Sequence, residues 1–335
     1  MMNIVVDIGL GYIKAKNDKG DSVSFPSVIA EKQTGPLMSI YNRNSDYLVT
    51  YCIGDREVTL CVGESAINNM GKRKEMLDKE DLICFLMCAI GIIGKEEKIN
   101  LLVVLPKDYT AIENQLIDEL SEKKVEVVVN GENKKMIIKS IQFFPESIVG
   151  YYNHILQDNK INYNLIKPGN SIGIIDIGYN NVKYLIMTSG KEGIKRIDNL
   201  SGKLENKGIK VCYKVVYEGL GELKDKIDLE DVEESIVKNN CLLEYKRGEL
   251  DLTSESETAY SEYVIELEKV IKHVWGIEKD LLSKLIITGG AVNSLREHLE
   301  VSFNSCEIEQ DGLFHGCDGG LAIQDLMLKN RCMAD

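Results

Sequence analysis

The sequence predicts an α/β protein of two similar halves, each a sheet covered by helices, and three observations lead there. A strand–Asp-Ile-Gly–strand pattern occurs twice, once at the start of the chain and once near its middle. Strand-like and helix-like apolar patterns are mixed throughout both halves, which argues for sheets packed against helices. The 335 residues, 44% apolar and 28% charged, are enough for two domains that each bury a core.

The repeat carries the most weight. Its first copy is Ile4-Val5-Val6-Asp7-Ile8-Gly9-Leu10-Gly11-Tyr12-Ile13-Lys14, and its second is Ile174-Ile175-Asp176-Ile177-Gly178-Tyr179-Asn180-Asn181-Val182-Lys183. Both run from an apolar β-branched strand through Asp-Ile-Gly and a short turn into a second strand, with a lysine seven residues after the aspartate. One Asp-x-Gly after a strand is an ordinary turn. Two copies with the same flanks, one opening each half, point to duplication.

In chain order, strands are predicted at Tyr47–Ile53, Val58–Val62, Leu101–Leu105, Val125–Asn130 and Met136–Ile141. Helices are predicted at Asp81–Ile93, Ala111–Lys123 and Ser147–Leu156. The polar passage Asn159–Asn170, with Pro168 and Gly169, reads as the linker between halves. Beyond the second copy come a strand near Gly193–Leu200 and helices near Ile209–Lys224, Leu229–Lys238 and Glu257–Trp275. A strand at Lys284–Thr288 and a last helix near Gly320–Lys329 complete the pattern. The acidic cluster Asp225–Glu234 reads as a solvated helix face, and Trp275 as a core residue.

The net charge of −13 argues against broad binding to nucleic acid or anionic membrane. The nine cysteines include no Cys-x-x-Cys pair, so neither a zinc site nor a secreted disulfide scaffold is indicated. Cys84 and Cys88, one turn apart in the apolar run Leu82–Ile93, read as reduced thiols on a core helix. The four histidines, His154, His273, His298 and His315, form no cluster by spacing. No apolar run reaches the roughly 20 residues of a membrane span, and the chain enters a strand at once with no signal-like segment. A soluble, cytoplasmic protein without membrane contact is expected.

A glycine-containing hairpin turn lets backbone approach a ligand closely and gathers N–H groups that bind phosphate. A carboxylate at the strand end offers hard oxygen to Mg²⁺, directly or through water. Two such hairpins could grip a phosphate tail from both sides, against the plainer reading of two Asp-Gly turns.

The paired hairpins resemble the two phosphate motifs of the actin, sugar-kinase and heat-shock-chaperone ATPase superfamily, and three further segments match in order. Phe144-Pro145-Glu146-Ser147-Ile148-Val149-Gly150-Tyr151 resembles its first connecting segment. Leu285-Ile286-Ile287-Thr288-Gly289-Gly290-Ala291 resembles its adenosine motif, and Asp311-Gly312-Leu313-Phe314-His315-Gly316-Cys317-Asp318-Gly319-Gly320 its second connecting segment. Phe25-Pro26-Ser27-Val28-Ile29-Ala30, with Pro-Glu-Ser and Asp-Gly-Leu-Phe, is most similar to the bacterial plasmid-segregation actins of the ParM family, with archaeal actin-like proteins nearby. One departure stands out: where that family shows Asn-Ala or a similar pair after the Phe, Phe314 is followed by His315-Gly316-Cys317.

The resemblance implies an actin-like (ribonuclease H-like) fold of two duplicated domains with the nucleotide in the cleft between them. Domain I would cover 1–167 with 313–335 returning to it, and domain II 168–312. Asp7 and Asp176 would hold Mg²⁺, mainly through water. Gly9, Leu10, Gly11, Tyr12 and Lys14, with Gly178, Tyr179 and Asn180, would bind phosphate. Lys183 holds the equivalent place in the repeat and reads as structural or surface. Glu146 would orient or polarise the attacking water, or else only face the helix dipole. Gly289, Gly290 and Ala291 would lie beneath the nucleoside, or form an ordinary strand-to-helix turn.

The function so implied is a polymerising ATPase, with GTP left open, whose head-to-tail filaments are dynamic. It would move plasmid DNA only indirectly, through a centromere-binding adaptor protein. A small-molecule kinase of the same superfamily would need an additional Asp base, for which no convincing motif is found. A non-polymerising ATP-binding scaffold like the membrane-bound division actins would end in a basic amphipathic tail, whereas Leu321–Asp335 reads as a core helix and short polar tail.

Overall fold

Ile4, Val5 and Val6 are all buried, as a strand covered on both faces requires. The computed structural model describes residues 1–332 except 33–45, 70, 107–108, 158–159, 192, 247, 304 and 311. The chain divides into two units, Met1–Asn162 with Leu313–Asp335, and Tyr163–Gly312.

In the first unit, β1 (Met2–Ile8) and β2 (Tyr12–Asn17) form a hairpin followed by β3 (Ser22–Pro26), β4 (Ile29–Glu31), β5 (Asp46–Ile53) and β6 (Arg56–Gly63). Helices α1 (Glu64–Asn68) and α2 (Lys79–Ile93) precede β7 (Lys98–Leu105), α3 (Thr110–Leu120), β8 (Lys123–Val129) and β9 (Glu132–Pro145). Helix α4 (Glu146–Ile155) and a short ladder of β10 (Leu156–Gln157) and β11 (Lys160–Ile161) follow. The large sheet has the order β3-β2-β1-β7-β9-β8-β5-β6-β4.

The second unit begins with β12 (Ser171–Ile177), β13 (Val182–Gly190), β14 (Gly193–Arg196) and β15 (Gly202–Leu204). Then come α5 (Lys210–Gly219), α6 (Leu229–Lys238) and the β16 (Leu242–Tyr245)–β17 (Gly248–Asp251) hairpin. Helix α7 (Thr253–Trp275), β18 (Lys284–Thr288), α8 (Val292–Ser302) and β19 (Cys306–Ile308) complete it. Its sheet has the order β14-β13-β12-β18-β19, with β15 also on β13.

The duplication extends to the pairing. In the first unit β1 is antiparallel to β2 and parallel to β7, which is parallel to β9. In the second, β12 is antiparallel to β13 and parallel to β18, which is parallel to β19.

Helix α9 (His315–Cys332) returns to the first unit. Strand alternation divides the first core between its two sides. Ile4, Val6, Leu101 and Val103 face the cluster containing α2 residues Leu82–Ile90, while Val5, Leu102 and Val104 pack with Val149 of α4 and Cys317 and Ile323 of α9. Helix α2 is held at its start by a capping box in which Asp78 accepts from Asp81 N at 2.9 Å and Asp78 N donates to Asp81 at 3.0 Å. Cys84 and Cys88 are fully buried on that helix, and Trp275 is buried with Nε1 donating to Leu200 O at 2.9 Å.

Several expected boundaries change. The helix expected to reach Lys123 ends at Leu120, because Glu122 takes φ 58° and turns the chain into β8. The strand expected over Met136–Ile141 runs to Pro145, where proline cannot donate to a ladder and α4 begins. The helix expected to reach Lys224 breaks after Gly219 into a 3₁₀ turn, Gly221–Asp225. The last helix starts at His315 rather than near Gly320. The acidic segment is not uniformly solvated, since Glu233 of α6 is buried. Asp311 and Asn159, named in the connecting segment and linker, and the end of the chain beyond residue 332 lie outside the described residues. No described helix is long and apolar enough to cross a membrane.

Candidate functional site

In the first unit, the chemistry-bearing residues gather at the carboxyl ends of parallel strands, the usual place for ligands in such sheets. Asp7 pairs with Val104 of β7, and Val104 with Phe144 of β9. Two strand spacings therefore separate Asp7 from Phe144, about 10 Å, and Glu146 follows two residues later as the first residue of α4. Asp7 is 3% exposed, and its Oδ1 is buried with no hydrogen-bond partner among the described residues. Its Oδ2 lies 3.2 Å from Lys14 Nζ, the residue opposite it in the hairpin.

Gly9, Leu10, Gly11 and Tyr12 form the turn, closed by Gly9 N donating to Tyr12 O at 3.2 Å. The Phe25-Pro26-Ser27 segment buttresses this turn. Ser27 N donates to Gly11 O at 3.0 Å and Ser27 Oγ to Gly9 O at 2.5 Å, while Pro26 pairs with Tyr12. Arg73 Nε adds a bond to Gly11 O at 3.3 Å.

The start of α9 closes on the same hairpin. A Cβ on Gly316 would lie 2.9 Å from Asp7 Oδ2, so only glycine leaves that carboxylate in place. Cys317 Sγ donates to Lys14 O at 3.5 Å, and Asp318 pairs with Lys16. Burial pushes the Cys317 thiol far up from its ordinary pKa, so it stays protonated and uncharged there.

The second unit repeats the geometry. Asp176 lies opposite Lys183 as Asp7 lies opposite Lys14, and Gly178 N donates to Asn181 O at 3.0 Å. Here the segment leading into α5 provides the buttress: Gly208, Ile209 and Lys210 N–H groups donate to Asn180, Gly178 and Tyr179 carbonyls at 2.9, 3.1 and 3.0 Å. Tyr179 Oη donates to buried Glu233 at 2.7 Å, and Lys210 Nζ sits 5.6 Å from the Tyr179 ring centroid. Beside this hairpin, Thr288 pairs with Asp176 across β18 and hydrogen-bonds Glu309. Gly289 follows at φ +109°, where a Cβ would lie 2.4 Å from Ile177 O and 2.5 Å from Asp176 Oδ1. Gly289 and Ala291 are tied to the hairpin strand and α8 by Ala291 N to Ile177 O (3.2 Å) and Val292 N to Gly289 O (3.1 Å), with Gly290 exposed between them.

Two family models meet on these elements. One describes the N-terminal domain of actin-like proteins and matches residues 5–148; the other describes the C-terminal domain of MreB-like archaeal actin homologues and matches 174–301. The chain is an actin-like protein.

Solved structures agree on the fold. A ParM from Clostridium botulinum, solved as a 15-stranded filament, aligns over 96% of this chain and 99% of its own with TM-score 0.78 and 21% identity. An archaeal actin homologue in complex with ADP aligns over 97% of this chain and 99% of its own (TM-score 0.74, 16% identity). Bacillus thuringiensis ParM with ATP aligns over 98% and 99% (TM-score 0.69, 16% identity). Among curated protein sequences none matches the chain. These likenesses establish the actin-like fold across its length.

Within each unit of this actin-like protein, the expected residues are neighbours: Asp7 with Lys14 and its turn, Asp176 with Gly289 and its turn. Gly316, Thr288, Glu309 and Glu233 were not anticipated. Gly316 and Thr288 lay within segments matched to the family pattern without a role of their own, Glu233 lay in a cluster read as solvated, and Glu309 had no signal. Among the described residues no three His, Cys, Asp or Glu side chains cluster as a ready-made metal site.

Proposed function

We propose that this chain is a polymerising actin-like nucleotide hydrolase that binds ATP, or GTP, with Mg²⁺ and assembles into dynamic filaments. The observation that carries the reading is the duplicated Asp–Lys register, Asp7 opposite Lys14 and Asp176 opposite Lys183, each beside a buttressed glycine turn. By the resemblance, the two hairpins would bind a single nucleotide. Support comes from the ADP and ATP complexes and the filament among the structural relatives. By the same resemblance, the filament works in the cytoplasm and moves plasmid DNA through a centromere-binding adaptor.

Gly9, Leu10, Gly11 and Tyr12 on one side, and Gly178, Tyr179 and Asn180 on the other, offer backbone N–H groups to the phosphates. Lys14 offsets phosphate charge from its place beside Asp7. The buried Oδ1 of Asp7, unpartnered among the described residues, suits a hydrated cation, because a buried carboxylate oxygen calls for a donor or a positive charge. Asp7 and Asp176 would hold Mg²⁺ mainly through water. When bound, the ion neutralises charge on the phosphate oxygens. Gly289, Gly290 and Ala291 give the nucleoside a surface free of bulky side chains. Glu146 orients the attacking water or accepts its proton, and such positioning is most of the catalysis in phosphoryl transfer. Nucleotide binding that favours one arrangement of two domains also favours the surfaces that assemble.

Light scattering with parallel phosphate release tests this reading. ATP or GTP should raise scattering, phosphate should follow with a lag, and Glu146→Ala should assemble without disassembling. Flat scattering at high protein concentration, with nucleotide still bound, would remove the filament from the account.

A further inference from the structure

The start of α9 is where the sequence departs from the pattern it otherwise resembles, and it packs on the helix that carries Glu146. Glu146 and Gly150 stand one turn apart on α4 and share a face. A Cβ at Gly150 would lie 3.6 Å from both Cδ2 and Nε2 of His315. Helical side chains lean toward the N-terminus, so the space a side chain at 150 would use lies over the turn that Glu146 opens. Gly150 adds no side chain there, and the edge of the His315 ring borders that position.

His315 is 5% exposed, and Glu146, partly exposed as a residue, has its Oε2 buried. A buried carboxylate is held by donors, and an imidazole N–H is a donor of suitable reach. Pro145 fixes where α4 starts but leaves the rotatable bonds of the glutamate side chain unset. The next two residues of α9 seat its first turn firmly, Gly316 against the Asp7 carboxylate and Cys317 on the Lys14 carbonyl. His315 is therefore fixed relative to the first hairpin as well as to α4.

We propose that His315 is a positioning residue for the Glu146 carboxylate, an inference that rests on the hydrolytic reading of Glu146. The imidazole donates to the carboxylate and restricts it to the rotamers that face the attacking water. The residue does not touch nucleotide.

The test compares single-turnover phosphate release and nucleotide affinity in the full chain, His315→Ala, His315→Gln, Glu146→Gln and the double variant His315→Ala/Glu146→Gln. The expected loss for His315→Ala is about tenfold or more in hydrolysis rate, since small misplacements of a positioning group cost that much. Nucleotide affinity should stay within about twofold, a fraction of a kcal/mol. His315→Gln, whose amide N–H can serve the same carboxylate, should recover much of the rate, and it carries the comparison should the alanine variant fail to fold. In the Glu146→Gln background the alanine change should add little further loss, because residues acting as a unit are non-additive. Wild-type hydrolysis in both His315 variants, or losses that multiply with that of Glu146→Gln, would overturn the proposal while leaving Glu146 catalytic. Wild-type hydrolysis by Glu146→Gln would instead overturn the reading of Glu146, and the positioning role with it.

Discussion

Lys14 lies opposite Asp7 across the first hairpin, its Nζ 3.2 Å from Oδ2, with both side chains largely shielded from solvent. Removing the lysine leaves a buried carboxylate without its counter-charge. Lys14→Met should destabilise the nucleotide-free protein by about 3 kcal/mol, read from urea unfolding midpoints. The pair Lys14→Met/Asp7→Asn should cost less than the two single changes added together, because the charge left behind is gone.

Gly289 occupies a left-handed conformation against the end of β12. Gly289→Ala would combine that strain, of order 1–3 kcal/mol, with a Cβ 2.4 Å from the Ile177 carbonyl. A lowered Tm together with weakened binding of a fluorescent nucleotide is expected. An unchanged Tm would show that the turn relaxes freely.

Tyr179 reaches from the second hairpin to Glu233, buried on α6. Tyr179→Phe removes the donor and leaves the carboxylate short of a partner, a cost of about 1–3 kcal/mol. Adding Glu233→Gln to Tyr179→Phe should recover part of that loss in thermal unfolding, since a neutral amide is less costly to bury than a charge that has lost a donor.

Burial holds the Cys84, Cys88 and Cys317 thiols far above their ordinary pKa and pushes Cys212 up to about 12. Because the thiolate is the nucleophile, these four should resist alkylation in the folded protein at pH 8 and remain slow as the pH rises toward 10. Peptide mapping after brief iodoacetamide treatment, with and without urea, checks this. Labelling of Cys317 in the native protein would mean that α9 opens away from the hairpin.

The sheet and its duplication were legible because the two Asp-Ile-Gly hairpins carry the same signal in sequence and take the same register in space. Buried runs such as Leu82–Ile93 were equally plain. What escaped has physical causes. Three-residue strands such as β15 and β19 are too short to show a period, so Glu309, brought beside Thr288 by β19, left no trace. Glu233 sits among residues whose composition reads as solvated, and its hydrogen bond with Tyr179 is a tertiary contact that composition does not show. The early start of α9 was hidden by Gly316, Gly319 and Gly320, poor helix formers that are tolerated where backbone must pack closely.

Calorimetric titration of Mg-ATP into the full chain, Asp7→Ala and Asp176→Ala tests most directly the proposal that the two hairpins serve one nucleotide. The account predicts one nucleotide per chain and a loss of about tenfold or more in affinity for each variant, the scale of a lost charge-assisted contact. Two nucleotides per chain, or full affinity retained when either aspartate is removed, would contradict it.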